Sequence, residues 1–382
     1  MNTSISLKER QCLYFLQSTE LIGNITIHKL RNYFKSYYNI YSASEQELSA
    51  WLTPKMLQRF IYDRETKDIC TEFDRIKKNN INYYLSEDDE YPQRFFELHD
   101  YPPAILVNGN LPDPAIPSIS IIGARNCSNY GGAMAQEYAC EIARSGIQII
   151  SGMAMGVDGI AGRSALNTNG RSFAILGSGP DVCYPSSNRD LFDALKVNGG
   201  IISEYPLGTA GVGWHFPMRN RLIAVLCDAL LVIEAKEKSG TMITVDSALE
   251  IGRNVYALPG RNHDVMSKGC NLLIKQGAEI LISPEDFVTE FLTSLSGEPR
   301  YDKYFSGLSD ASTLKKSGPV FKTPEEKIVF ECLDYSPQSL DQILAKVNIV
   351  IPYTISQLMV ALSNLSIAGC VTSIGGANYA WK

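Results

Sequence analysis

The stretch SISIIGARNCSNYGG, residues 118–132, decides the fold class. Its first five residues form a short apolar run that predicts a buried strand, and Gly123 ends that run. A polar loop follows, and a helical pattern then begins at Gly132 and ends at Ser145. The stretch therefore predicts one strand–turn–helix unit, and the residues after it repeat this arrangement.

The same alternation of apolar runs and helical segments continues along the chain. Helical patterns at Thr244–Gly252 and Cys270–Gln276 separate some of the runs. Short apolar strands separated by helices indicate a parallel sheet that is covered on both faces. We therefore predict an α/β fold with an extended Rossmann-type, doubly wound, mostly parallel sheet. Its further strands are expected at 147–151, 172–179, 200–204, 229–235, 255–260 and 279–283.

Other patterns flank this sheet. Residues 1–84 show helical spacing and predict an N-terminal all-α domain, and residues 85–290 form the sheet domain. The proline-rich and acidic segment within 85–117 is expected to be an extended entry segment. Residues 291–319 lack periodicity and predict a linker, whereas 320–382 carry three helical patterns and a hairpin around Gly375-Gly376, as in a winged-helix domain.

The composition excludes several classes of protein. A net charge of −6 excludes a general polycation, so any nucleic-acid surface must be local. The nine cysteines contain no C-x-x-C and no Cys/His cluster, which argues against a disulfide framework and a zinc site. The run Leu222–Ile233 is too short to span a bilayer, and residues 1–11 lack a secretory signal pattern. We therefore expect a cytoplasmic protein that does not associate with a membrane.

The loops after the predicted strands are rich in Gly, Ser, Asn and Arg. In an open parallel sheet these loops share one edge, where ligands bind. Glycines let the backbone approach a ligand, and helix N-termini present free N–H groups to anions. We find neither G-x-G-x-x-G nor a P-loop, and no catalytic or metal-ligating constellation. The pattern predicts an anion-binding protein with no catalytic residues, no metal and no cofactor.

Individual residues leave alternatives open. Arg125 follows the first strand and either points into the crevice or forms a surface salt bridge. Arg219 and Arg221 lie at the start of a helix, where positive charge is unfavourable to the helix, which favours a role in anion binding. Phe216 is either a core residue or a platform for a nucleobase. Asp158 is expected to cap a helix. The triplet Ser239-Gly240-Thr241 caps a helix, binds phosphate, or does both.

These motifs, taken in order, resemble the DNA-processing protein A family (DprA, also called Smf). The resemblance extends over about residues 85–285 and includes the acidic, aromatic segment 88–110. The motifs that carry it are IIGARNCSNYG (121–131), IISGMAMGVDGIAGRSAL (149–166), AILGSGPDVCYPSSNRDL (174–191), IISEYPLGT (201–209), the segment 215–260 that begins HFPMRNR, and GCNLLIKQGAEIL (269–281).

The resemblance implies a bacterial protein of the cytosol that binds single-stranded DNA, protects incoming strands during natural transformation and helps to load the RecA recombinase onto DNA coated by single-strand-binding protein. It also implies a SAM-like N-terminal domain and a homodimer with candidate contacts at Asn271, Leu272 and Ile280. The DNA-binding residues carried over by position are Gly123, Arg125, Ser151, Gly152, Asn188, Phe216, Arg219, Asn220, Arg221, Ser239, Gly240 and Thr241.

The chain departs from the family pattern in three loops. Ala124 stands where the family has a serine, and Met155 stands where it has an arginine. Ser186 and Ser187 occupy a loop that often contains a lysine. Since each lost phosphate contact lowers affinity and its dependence on salt, we expect weaker DNA binding that relies more on the remaining arginines.

Two other functions stay open. A nucleotide phosphoribohydrolase of the lysine-decarboxylase-like family would share the sheet, but its P-G-G-x-G-T-x-x-E motif has only a partial counterpart in KSGTMITVDSALE (238–250), which lacks the paired glycines and has Glu250 out of register. A protein-interaction adaptor would instead act through the winged helix. Its wing region is nearly uncharged, which suits a protein contact better than DNA.

Overall fold

The computed structural model describes residues 5–310, 321, 323–334, 337–367, 370–374 and 378–381. The chain divides into two compact units. One comprises Met1–Asn126 and Ala135–Tyr304, and the other comprises Cys127–Met134 and Phe305–Lys382. The predicted domain boundaries stay a prediction, although the N-terminal helices and the large sheet belong to the same unit.

Six helices precede the sheet, and polar side chains cap several of them. Ser44 and Glu47 form a capping box, in which each side chain accepts a hydrogen bond from the other residue's backbone N–H. Thr53 caps the next helix, whose first residue is Pro54. The helices are α1 Leu7–Ser18, α2 Asn24–Phe34, α3 Tyr37–Ser42, α4 Glu45–Ser49, α5 Pro54–Thr66 and α6 Ile69–Lys78.

Nine strands form one sheet in the order β1-β2-β6-β5-β4-β3-β7-β8-β9. The seven strands from β6 to β9 in this order are parallel, and β1 and β2 are antiparallel to their neighbours. This confirms the predicted doubly wound, mostly parallel sheet. The strands are β1 Asn82–Leu85, β2 Ala104–Gly109, β3 Ser118–Ile122, β4 Gln148–Ser151, β5 Ser172–Leu176, β6 Gly199–Ser203, β7 Ala229–Val232, β8 Asn254–Ala257 and β9 Glu279–Ile280.

The chain runs from β3 outward to β6 and then returns to the other side of β3 to form β7. Because parallel connections are right-handed, this reversal puts the two sets of helices on opposite faces and opens a crevice between β3 and β7. The connecting and following helices are α7 Asn129–Arg144, α8 Val157–Asn167, α9 Arg189–Asn198, α10 His215–Leu226, α11 Gly240–Glu250, α12 Lys268–Lys275, α13 Pro284–Leu295 and α14 Asp302–Asp310.

The segment expected to be an extended connector contributes to the sheet, so that prediction was wrong. It contains a 3₁₀ helix, Gln93–Glu97, and the strand β2, which pairs with both β1 and β6. Leu85 and Ala104 pack into the core of the N-terminal helices. The apolar residues of β2 therefore join the helices to the sheet.

The predicted linker 291–319 also contains regular structure. The helix α13 extends to Leu295 because Phe287, Phe291 and Leu295 are buried along one face. After it, α14 begins at Asp302, and Tyr301 is buried beside it. Residues 311–319 of the predicted linker lie outside the described residues.

The second unit contains three further helices and a small sheet in the order β10-β12-β11. The strands β11 and β12 pair antiparallel, as the predicted hairpin requires, although Gly375-Gly376 lies outside the described residues. The winged-helix assignment of this unit stays a prediction. The elements are α15 Pro324–Glu331, α16 Leu340–Val350, α17 Ile355–Ile367, β10 Gln338–Ser339, β11 Val371–Ile374 and β12 Asn378–Trp381.

No single helix within the described parts of the chain is both long and apolar enough to cross a membrane. The segments Leu340–Val350 and Ile355–Ser366 meet the length and composition requirement only as a pair, with a bend of 102° between them. All nine cysteines are free thiols.

Candidate nucleic-acid interface

A crevice of about 490 Å³ opens at the topological switch point of the sheet. The loop after β3, the first turn of α10 and the segment from β7 to α11 form its walls. Ligands of open α/β sheets bind at this position, beyond the carboxyl ends of the strands. The residues that line it include Gly123, Arg125, Phe216, Arg219, Asn220, Lys236, Ser239, Gly240 and Thr241.

Two glycines let the loops at the base of the crevice pack closely. A Cβ atom on Gly123 would lie 2.7 Å from a methyl carbon of Val157. Gly156 has φ of +72°, and a Cβ atom there would lie 2.2 Å from the main-chain oxygen of Ala124. The loops after β3 and β4 therefore contact each other through positions that only glycine can occupy without displacing its neighbours.

Arg125 is an exposed cation that lines the crevice. Its guanidinium lies 5.2 Å from the centroid of the Phe216 ring, a cation–π distance. Phe216 also stacks on Tyr184, with 5.2 Å between the ring centroids and 25° between the planes. Arg125 makes no ion pair with any residue in the described ranges, so its charge is available to a ligand.

The N-terminus of α11 provides the opposite wall. Ser239 is the N-cap residue, and its side chain makes no capping hydrogen bond. Its Oγ atom is buried and has no hydrogen-bond partner within the described residues. Gly240 and Thr241 follow in the first turn, where backbone N–H groups lack helical partners. Asn220 donates a hydrogen bond to the main-chain oxygen of Gly240 at 3.4 Å. This wall offers the N–H groups of a helix N-terminus to an anion, and the Ser239 hydroxyl lies buried beside them.

Arg219 forms the floor of the crevice and is only 4% exposed. It donates a hydrogen bond to the main-chain oxygen of Ile175, and its Nε has no partner among the residues described. Burial lowers the pKa of Arg219 to about 10, although the nearby Asp158 opposes this shift. Burial also raises the pKa of Asp158, whose carboxylate accepts the Gly152 N–H at 3.0 Å. Arg219 thus supplies positive charge from below but has little surface for direct contact.

Arg221 is not brought to the crevice, contrary to the prediction. Its guanidinium lies 2.9 Å from Asp100 and 2.8 Å from Glu204. Glu204 also accepts a hydrogen bond from Asn24 at 3.0 Å, so this cluster joins α10 to α2. Two residues along a helix turn by about 200°, so Arg219 and Arg221 point to opposite sides of α10. Arg221 is a structural ion-pair residue here.

Three other predicted contacts are occupied within the protein. Ser151 Oγ donates to the main-chain oxygen of Ile121, and the Gly152 N–H donates to Asp158. The Asn188 amide donates to the main-chain oxygens of Met153 and Ala154, both at 3.0 Å, and is 5% exposed. Their role is to shape the loops, because their polar groups already have partners.

The positions that depart from the family pattern lie around the same edge. Ala124 lines the crevice, and Met155, on the neighbouring loop, is 48% exposed. Ser186 and Ser187 are exposed in a short 3₁₀ helix. Lys236 lines the crevice and adds a cation that sequence analysis did not select.

The geometry disfavours the hydrolase alternative. Glu250 is the last residue of α11, whose first residue lies at the crevice. At about 1.5 Å per residue, the two ends of this helix are about 15 Å apart.

Within the described residues no group of three or more His, Cys, Asp or Glu side chains could hold a metal ion.

The candidate dimer residues lie at the far end of the sheet. Ile280 is 47% exposed on the edge strand β9, next to Ile282, which is 77% exposed. Asn271 instead forms two hydrogen bonds with the backbone of Gly260, at 3.1 and 3.0 Å. Leu272 is half-buried on α12. Self-association through these residues stays a prediction.

The fold and the crevice define a doubly wound α/β protein with a cationic, glycine-lined crevice at its topological switch point. The chain belongs to the DNA recombination-mediator protein A family, whose sequence profile matches residues 82–292. This confirms the resemblance stated above.

Individual relatives agree with that assignment. The chain is 30% identical to Protein Smf of Synechocystis over 386 aligned residues, which cover 94% of this chain and 95% of that protein. The solved structure of DNA processing protein A from Streptococcus pneumoniae matches with a TM-score of 0.64 and 31% identity, covering 74% of this chain and 97% of that one. A structure of DNA processing protein A from Helicobacter pylori, solved to explain its single-stranded DNA binding mode, matches with a TM-score of 0.52 and 29% identity, covering 56% and 98%.

Proposed function

We propose that this chain binds single-stranded DNA in the crevice at the switch point and does not cut or modify the strand. Family membership and the DNA-binding relative from Helicobacter pylori support this proposal. We further propose that the protein protects incoming strands during natural transformation and acts as a homodimer. In this role it helps to load RecA recombinase onto DNA coated by single-strand-binding protein.

One observation carries the proposal. Arg125, whose guanidinium forms no ion pair with the described residues, and Ser239, whose buried hydroxyl has no hydrogen-bond partner among them, line the same crevice. A phosphate between them would receive a charge-assisted contact from one side and O–H and N–H donors from the other. Because the net charge of the chain is −6, such a local cluster is the means by which the protein can attract a polyanion.

The first test is a titration of single-stranded and double-stranded DNA at about 50 and 200 mM salt. We expect a preference for single strands and an affinity that falls as salt rises. Arg125→Ala should weaken binding and reduce the slope of log K against log salt by about 0.7, the value for one single-strand phosphate contact. The matched control is Arg171→Ala, because Arg171 is also exposed but lies just before β5. It is therefore at the amino ends of the parallel strands, whereas the crevice is at their carboxyl ends.

Equal affinity for both DNA forms, or equal effects of the two arginine substitutions, would contradict the proposal. The recombinase step needs a separate measurement. RecA binding to a single strand coated with single-strand-binding protein should increase when this protein is added, and Arg125→Ala should reduce that increase.

A further inference from the structure

Trp214 is the most exposed aromatic ring beside the crevice. Its side chain is 68% exposed, although its neighbours Gly213 and Phe216 line the crevice. Within the described residues its one ring contact is edge-on with His215, at 4.0 Å between centroids and 73° between planes. No ring of the described residues stacks parallel to the indole, and most of its surface is open to solvent.

Phe216 is the weaker platform, although its sequence position suggested a base contact. Its ring is half-buried and already packs against Tyr184 and the Arg125 guanidinium. A Cβ atom on Gly177 would lie 3.0 Å from the same ring. Phe216 therefore holds Arg125 in place, and little of its surface is left for a ligand.

A buried residue fixes the backbone beneath Trp214. The Nδ1 atom of His215 donates to the main-chain oxygen of Gly177 at 3.0 Å. The imidazole also stacks on Tyr205, with 4.0 Å between centroids. An exposed indole on a rigid support loses little side-chain entropy when it binds a flat ligand.

We propose that Trp214 stacks on an unpaired nucleobase whose phosphate lies in the crevice. This inference rests on the proposed function and adds a base-binding position to it. A paired base inside a duplex has no free face, so stacking on Trp214 would favour single strands without reading their sequence. The charge that attracts the backbone and the aromatic surface that binds the base would then lie on adjacent parts of one site.

The test compares a thymidine oligonucleotide with an abasic deoxyribose-phosphate strand of the same length. Base–aromatic stacking corresponds to a change of about 5- to 150-fold in Kd. We expect Trp214→Ala to weaken binding of the thymidine strand by a factor in this range and to leave the abasic strand unchanged. Trp214→Phe should retain most of the affinity. The matched control is Trp51→Ala, since Trp51 is 42% exposed in the turn between α4 and α5.

Fluorescence gives a second readout. The chain has three tryptophans, and stacking of a base should quench the emission of Trp214. The quench on adding the thymidine strand should disappear in Trp214→Phe, with the circular dichroism spectrum unchanged.

The outcomes separate the two proposals. Equal losses of Trp214→Ala for both strands, or no loss for either, would overturn the stacking role while DNA binding by the parent stands. If the parent protein binds neither strand, both proposals are wrong.

Discussion

Gly152 leaves the space that the Arg219 guanidinium occupies: a Cβ atom on Gly152 would lie 2.2 Å from Nη1 and 2.6 Å from Cζ of Arg219. The loop after β4 and the floor of the crevice are therefore fitted to each other. Since Arg219 is buried and hydrogen-bonded to Ile175, its side chain cannot move aside freely.

We expect Gly152→Ala to lower the free energy of unfolding by about 1–3 kcal/mol, the usual cost of overpacking. Urea unfolding followed by circular dichroism measures this change. Gly213→Ala is the control, because a Cβ atom there meets nothing within 4 Å. Equal stability of the two variants would show that Arg219 relaxes without cost.

Arg221→Ala should lower stability without removing DNA binding. It leaves the carboxylates of Asp100 and Glu204 without their cation, and their side chains are only 12% and 8% exposed. Breaking a buried ion pair from one side typically costs about 3–5 kcal/mol. We expect a lower melting temperature, and a Kd for single-stranded DNA within about twofold of the parent when it is measured well below that temperature.

Partial recovery of stability in Arg221→Ala combined with Glu204→Gln would confirm the cause, because that variant leaves one buried charge fewer. If folded Arg221→Ala loses DNA binding, the result would instead support the direct phosphate contact predicted from the sequence.

Ser239→Ala should have the opposite effect to Arg221→Ala: it should weaken DNA binding and leave the stability of the fold unchanged. Because Ser239 Oγ has no partner among the described residues, the substitution removes no hydrogen bond of the folded protein. We expect a change in unfolding free energy within about 0.5 kcal/mol. A lost phosphate contact of about 1 kcal/mol should raise the Kd for single-stranded DNA about fivefold. Unchanged affinity would remove Ser239 from the site.

The burial of His215 should make the stability of the folded protein depend on pH. Burial lowers the pKa of His215 below its ordinary value of 6.5, so the folded protein favours the neutral ring. As the pH falls through 6.5, the unfolded chain binds a proton that the folded chain does not, and stability is lost until the pH reaches the folded pKa. Above 6.5 this contribution is fully present.

The measurement is the stability difference between the parent and His215→Gln at pH 7.5 and pH 5.5, two values chosen on either side of the ordinary pKa. The difference should shrink on acidification, by at most about 1.4 kcal/mol per pH unit. A difference that does not change with pH would mean that His215 titrates alike in both states.

The parallel strands were predictable because each is a short apolar run between turn residues. The strand β2 was missed because prolines at positions 102, 103 and 112 flank its apolar residues and suggest a loop. It also pairs antiparallel with β1 and β6, so it does not belong to the repeated strand–helix units that revealed the parallel strands. Antiparallel pairing between distant segments leaves no local periodicity to detect.

The sequence allowed us to predict which loops form the site, but not the partners of every side chain in them. Arg125 and the Ser239 turn come together because the carboxyl ends of β3 and β7 meet at one edge. The split between Arg219 and Arg221 was available from helical periodicity, since residues two apart lie on opposite sides of a helix. The internal partners of Ser151 and Asn188 were not, because they depend on how separate loops pack. Trp214 and Tyr184 carried only their aromatic character as a signal.

The strand β1 has consequences for how this protein can be shortened. Its residues Leu85 and, on β2, Ala104 are covered by the N-terminal helices, and Leu106 packs with Tyr14. A fragment that starts at residue 82, where the family match begins, would expose these apolar side chains to solvent. Such a fragment should aggregate at concentrations where the full chain does not, because the N-terminal helices shield these apolar residues from solvent.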